Sequence, residues 1–209
     1  MKRLIVVLIL LIASPASAIV MIGFGGTSTP PAGIEHGNDS SGQNTSSTTS
    51  YTLAHNLSAA SGNNRLLVVG VSLDLSTGPP TLTCTYNGTA MTALTAAYLG
   101  GMQVRIFYLL DADLPASAGE YNIVASTTNA GYLKIIASDF TGVDQAAVDM
   151  QYATTATASS LTTQPDPVVE NSLIWDMKAN ASSTHVWNSH DADYTQIAEL
   201  EGGNAHVAA

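Results

Sequence analysis

The sequence predicts an all-β fold, an antiparallel β-sandwich of jelly-roll or immunoglobulin-like type. Short apolar runs recur at intervals of roughly 8–15 residues, separated by Gly, Asn, Asp, Pro and Ser, which is the spacing of strands joined by turns. Within several runs the apolar residues alternate with polar ones, the period of a strand with one buried face. The composition agrees: 45% of the residues are hydrophobic and only 11% are charged, Ser and Thr are abundant, and no stretch carries the 3.6-residue period of an amphipathic helix.

The elements follow in order. Met1-Lys2-Arg3 is a basic start, residues 4–13 are apolar, and Ala16-Ser17-Ala18 supplies a small-x-small cleavage site. Residues 1–18 therefore read as a secretory signal peptide. The apolar run is interrupted by Pro15 and is too short for the roughly 20 residues that cross a bilayer as a helix. Residues 19–32 form an apolar, Pro-containing lead, and the polar stretch 27–50 reads as a linker. The domain proper is expected over residues 33–209.

Residues 51–57 open the strand series. Residues 65–75 place Leu67, Val69, Val71, Leu73 and Leu75 on one face, and Leu66 and Val68 make their start apolar on both faces, as in a central strand. Residues 81–86 and 89–94 flank Asn87-Gly88, the strongest short-range hairpin signal. Residues 103–110 alternate through Val104, Ile106, Tyr108 and Leu110, and 111–119 form a loop. Residues 120–126 and 132–140 are expected to be a second hairpin about Asn129-Ala130-Gly131. A weaker strand is read at 147–153, a strong one at 168–178 with Leu173, Trp175 and Met177 alternating, and shorter ones at 185–187 and 194–200. The expected core includes Leu67, Val69, Val71, Tyr108, Ile135 and Trp175.

Charge and cysteine content limit function. The net charge of −10 becomes more negative when Lys2 and Arg3 leave with the leader. The remaining bases are then Arg65, Arg105, Lys134 and Lys178. This balance argues against nucleic acid and against anionic membrane surfaces. Cys84 stands alone, so no disulfide closes within the chain. It shares a strand face with Leu82 and Tyr86 and reads as a small buried hydrophobe.

The chemistry-bearing residues assemble into no motif. There is no Gly-x-Ser-x-Gly elbow, and His36, His55, His185, His190 and His206 follow no recognised spacing. Gly23-Phe24-Gly25-Gly26 lacks the strand and helix of a dinucleotide loop. Asp111-Ala112-Asp113 and Asp191-Ala192-Asp193 are the segments that could hold Ca2+, but neither continues into a calcium loop, and both read as solvated acids. Glu199 and Glu201 share one strand face, the pattern of a charged edge. Trp175 alternates with Leu173 and Met177 and reads as core, whereas Trp187 is the candidate exposed platform for a sugar. Asn38, Asn44, Asn56, Asn87 and Asn180 head Asn-x-Ser/Thr sequons. No catalytic, cofactor-binding or metal-binding residue is expected, and the chain is not expected to be an enzyme.

Four segments carry a resemblance: 64–72 (NRLLVVGVS), 85–92 (TYNGTAMT), 104–109 (VRIFYL) and 140–145 (FTGVDQ). In this order and spacing they resemble a β-sandwich module that recurs in bacterial secreted and surface proteins and in phage-associated proteins. The resemblance covers about residues 35–200. It implies an extracellular sandwich without catalytic residues, often one unit of a larger architecture. Such modules continue into a strong apolar strand after the region that here reads 197–209, so the last strand is expected to be missing, either because the reading frame is truncated or because the strand comes from elsewhere. An open edge would then accept a strand from another chain, and residues 19–24 are the candidate free donor. The expected function is a secreted structural or adhesive module, partnered by copies of itself or by other surface proteins. The alternative is a carbohydrate-binding domain.

Overall fold

A computed structural model describes residues 17–24, 33–75, 78–146, 150–156, 173–180, 199–200 and 206–208. The strands in chain order are β1 (Ser17–Phe24), β2 (Glu35–Gln43), β3 (Thr48–Leu57), β4 (Leu66–Asp74), β5 (Leu82–Tyr86), β6 (Thr89–Ala90), β7 (Thr92–Ala93), β8 (Ala97–Leu99), β9 (Met102–Leu110), β10 (Gly119–Thr141), β11 (Met150–Ala156), β12 (Leu173–Asn180), β13 (Glu199–Leu200) and β14 (His206–Ala208). One 3-10 turn, Asp111–Asp113, interrupts them. Every strand pairing is antiparallel, so the chain is an all-β antiparallel fold. Among the described residues no helix is long and apolar enough to cross a membrane.

β10 organises the molecule. Its first half pairs with β3 on one side and β5 on the other, and its second half pairs with β2 and β4. The first half thus belongs to an outer sheet, β3-β10-β5-β6. The second belongs to a middle sheet in which β2, β10, β4 and β9 are neighbours and β7 and β8 lie along β9. The two sheets fold over one core. Leu67, Val69, Val71 and Leu73 of β4, Phe107 and Leu109 of β9, and Leu133, Ile135 and Ala137 of β10 meet Leu57, Leu82, Cys84, Tyr86, Ile123 and Ala125 there. Each aliphatic side chain so enclosed contributes about 1.5–3 kcal/mol.

The alternate residues of the middle sheet are buried as well, against a third sheet of order β11-β1-β12-β14-β13. Trp175 Nε1 donates to Ser138 Oγ at 3.1 Å across this second interface. Gly70 lies beneath the Trp175 ring and Met177 Sδ, where a Cβ would collide with both. This double cover explains why residues 66–73 and 135–138 are apolar or small on both faces. All six expected core residues are buried.

Several expectations are corrected. Residues 129–131 do not turn a hairpin, because β10 runs straight through them and only its partners change, with a register shift between Ser126 and Gly131. Gly131 serves close approach: a Cβ there would strike Asp74 O and the Leu73 and Leu75 side chains. Within the stretch read as linker, residues 35–43 form edge strand β2, because an edge strand needs backbone hydrogen bonds more than apolar side chains. Residues 89–94 are two short strands: β6 pairs with β5 and β7 with β9, so the chain crosses between sheets at Met91. The Asn87-Gly88 hairpin forms as expected, both residues at positive φ of 48° and 80°.

The segment expected as a free donor is β1, and it is not free. It lies within its own chain's third sheet, hydrogen-bonded to β11 on one edge and β12 on the other. Near the C-terminus β14 pairs with β12 and β13. The expected strands at 168–172, 185–187 and 194–198 lie outside the described residues.

The Gly70 packing is testable. Gly70→Val should lower stability by about 1–3 kcal/mol through overpacking, and Met177→Ala in that background should recover part of the loss. Urea unfolding of the three chains measures this. A Gly70→Val variant as stable as the parent would contradict the third sheet's placement.

Candidate functional site

The densest group of chemistry-bearing side chains lies at one end of the core. His55 belongs to the inward-facing series Tyr51, Leu53, His55, Leu57 of β3, and Asp139 belongs to the inward-facing series of β10 that contains Leu133, Ile135 and Ala137. Because β3 and the second half of β10 lie in different sheets, the two residues meet across the interior, both fully buried. His55 Nε2 lies 3.2 Å from Asp139 Oδ1, and His55 Nδ1 lies 3.0 Å from Ser40 Oγ on β2. The Nε2–Oδ1 approach is close but is not aligned as a hydrogen bond.

Asp139 collects donors from two further segments. The Asn38 N–H donates to Oδ1 at 2.8 Å and the Ser58 N–H to Oδ2 at 3.2 Å, while the Ser58 hydroxyl also donates to Oδ2. Gly37 leaves room for this, as a Cβ there would strike the carboxylate and Ser58 Oγ. Burial pushes the Asp139 carboxyl up, but His55, the Ser58 hydroxyl and the two N–H donors together outweigh it and hold the acid below its ordinary range. Beside it, Tyr86 O–H donates to the His55 carbonyl at 3.4 Å. Burial, reinforced by the Asp139 charge, raises the Tyr86 phenol.

Ser40, His55 and Asp139 thus stand in a line with the residue types of a hydrolase relay. The geometry differs from such a relay in two respects. The acid faces Nε2 without an aligned hydrogen bond, and the imidazole is completely enclosed, whereas a nucleophile's base must reach a substrate. What the arrangement does is bind β2, β3, the segment after β3 and β10 to a single carboxylate.

A second cluster explains two of the four sequence segments quoted above. Arg65 is 1% exposed. Its Nε donates to Asp111 Oδ1 at 2.6 Å, its Nη1 to the carbonyls of Ala59 (3.0 Å) and Pro115 (2.8 Å), and its Nη2 to Asp111 O at 3.3 Å. Gln145 completes the knot: its Oε1 accepts the Asp111 N–H at 2.8 Å and its Nε2 donates to Arg65 O and Val143 O. Asn64 at φ 51° and Gly142 at φ 73° set the two chain bends that touch here, joined by Gly142 N–H to Asn63 O and Val143 N–H to Asn64 O. Removing one partner of a buried pair of this kind costs about 3–5 kcal/mol. Arg105 plays a similar part at the other side of the sheet, donating to Leu94 O at 2.7 Å with its guanidinium 5.7 Å from the centre of the Phe107 ring.

The structure separates the remaining candidates. Asp111 is no solvated loop acid, since it is spent on Arg65 and on the Gly62 N–H. Asp113 stays exposed. Cys84 is core, its thiol pushed up to about 12 by burial, which makes it inert. Trp175 is core. Asp191, Asp193, Trp187, Glu201, His185 and His190 lie outside the described residues. No group of three or more His, Cys, Asp or Glu among the described residues is placed to hold a metal ion. The sequence reading missed the inward position of His55 and Asp139, although alternation in residues 51–57 points His55 inward. No protein-family model matches the chain and no curated protein matches it by sequence.

The Asp139 knot has a defined pH signature. A carboxyl whose native pKa is lowered stabilises the fold above its unfolded value of about 3.8, and that contribution is lost as pH falls through the native value. The stability difference between the parent and Asp139→Asn should therefore shrink as pH is lowered from about 5 towards 2, followed by urea unfolding. A difference that widens on acidification would contradict the arrangement.

Proposed function

We propose that this chain is a structural or adhesive module exported to the cell exterior, and that it works by its shape and its surfaces rather than by catalysis. The observation that carries this reading is where the reactive side chains are spent. Among the described residues, His55, Arg65, Asp139 and Cys84 are buried and Asp111 is largely enclosed, and there they cross-link strands and loops or fill the core. Buried hydrogen-bonded networks rigidify a core, which suits a structural module whose single cysteine closes no disulfide within the chain. The leader at residues 1–18 and the acidic, Ser/Thr-rich composition support an extracellular setting. The resemblance to modules of secreted and surface proteins points the same way.

Immunogold electron microscopy of the producing cells, with serum raised against the purified protein, tests the reading. Label on the outer surface or on extruded fibres is the expected result. Label confined to the cytoplasm would overturn it, and specific sugar binding on a glycan array, lost on Trp187→Ala, would replace it with the lectin reading.

A further inference from the structure

The third sheet is closed by a strand from the opposite end of the chain. β1 lies antiparallel between β11 and β12, Ser17 to Gly23 in register with Ala156 to Met150 on one edge and Ser17 to Phe24 in register with Asn180 to Leu173 on the other. Lifting β1 out would leave two facing open edges about 10 Å apart, twice the spacing of neighbouring strands. In the exported chain, which on the leader reading begins at Ile19 once residues 1–18 are removed, the segment that fills this slot is residues 19–24, antiparallel to both flanks, with its N–H and C=O groups satisfied on both sides.

β1 is attached to that slot in an unusual way. Its ladder partners begin at Met150, more than a hundred residues along the chain, and the strand that follows it in sequence, β2, belongs to the middle sheet. The covalent link between them is residues 25–34, which span at most about 36 Å when extended. β1 carries Ile19, Val20, Met21, Ile22 and Phe24, a run without charge and apolar at adjacent positions, as a strand central to a sheet requires. Nothing in its backbone pairing depends on which copy of the chain supplies it. The ladders to β11 and β12 are the same in cis and in trans, so concentration and linker geometry decide between them.

We propose that β1 is an exchange strand: in assemblies of this protein, β1 of one copy fills the β11–β12 slot of a second copy. The proposal rests on the reading of the chain as a structural module and names that module's partner as the chain itself. Reciprocal exchange between two copies gives a closed dimer, and exchange passed from copy to copy gives a fibre.

Cysteine pairing across the ladder tests this. Val20 and Ala153 are directly opposed, at a separation that a disulfide can bridge. In the full exported chain, Val20→Cys and Ala153→Cys together should close a disulfide within one chain on mild oxidation, which checks the register. The two single variants, refolded together at high concentration and then oxidised, should yield an interchain 20–153 disulfide, identified as a linked peptide by mass spectrometry. The pair Ile22→Cys and Gln151→Cys repeats the test if either first variant fails to fold. A double variant that closes its internal disulfide while the mixture gives no interchain 20–153 or 22–151 peptide would overturn exchange and leave the structural reading standing. Failure of the double variants to close would overturn the slot itself. Cytoplasmic immunogold label would instead remove the functional reading while leaving strand exchange intact.

Discussion

One strand holds two sheets together, and most of the structure depends on it. β10 gives its first half to the outer sheet and its second half to the middle sheet, so each half is hydrogen-bonded on both edges. A single extended segment can serve two sheets only if its partners change without breaking the backbone ladder. The change occurs around residues 126–134, and Asn44 manages it. Its backbone N–H donates to Leu133 O at 3.1 Å, its Oδ1 accepts the Leu133 N–H at 2.6 Å, and its Nδ2 donates to Gly131 O at 3.1 Å. A side-chain amide thus supplies the ladder bonds between the end of β2 and the start of β3. Gly131, opposite it, lets β10 pass close to the end of β4.

The two polar knots follow from this path. Because β10 carries its inward-facing series from one sheet to the other, Asp139 arrives inside the sandwich facing His55 of β3. Its burial is tolerated because the Asn38 N–H, the Ser58 N–H and the Ser58 hydroxyl all donate to it. At the adjoining end, the bend after β10 brings Gln145 back to Arg65 and Asp111, tying the entry of β4 to the exit of β9. These knots stand where the sheets' apolar packing ends, which is where a sandwich otherwise frays.

Much of this was legible in residues, and the failures are instructive. Runs buried on one face, such as 81–86 with Leu82, Cys84 and Tyr86, read correctly because alternation is a local signal. Residues 66–73 and 135–138 announced their central place by being apolar or small on both faces. The Asn129-Ala130-Gly131 segment misled, since turn chemistry there reflects a partner change and a close approach rather than a reversal. β2, with the sequence EHGNDSSGQ, has no strand signal of its own, because its place comes from the open edge of β10 and from the Asn38 N–H reaching Asp139. Partnership between distant segments, β1 with β11 and β12 or Arg65 with Gln145, has no local trace. His55, Arg65, Asp111 and Cys84 were each named from the sequence and Asp139 was not, and their gathering at the ends of the core came only with the fold.

The central claim is that residues 119–141 form one strand shared by two sheets. Cross-strand nuclear Overhauser effects in an isotope-labelled sample test it most directly. The account predicts contacts from Ile123 to Leu53 and Tyr86, and from Ile135 to Gly42 and Val71. A ladder of contacts between residues 120–126 and 132–140 themselves, the signature of a hairpin about Asn129, would contradict it.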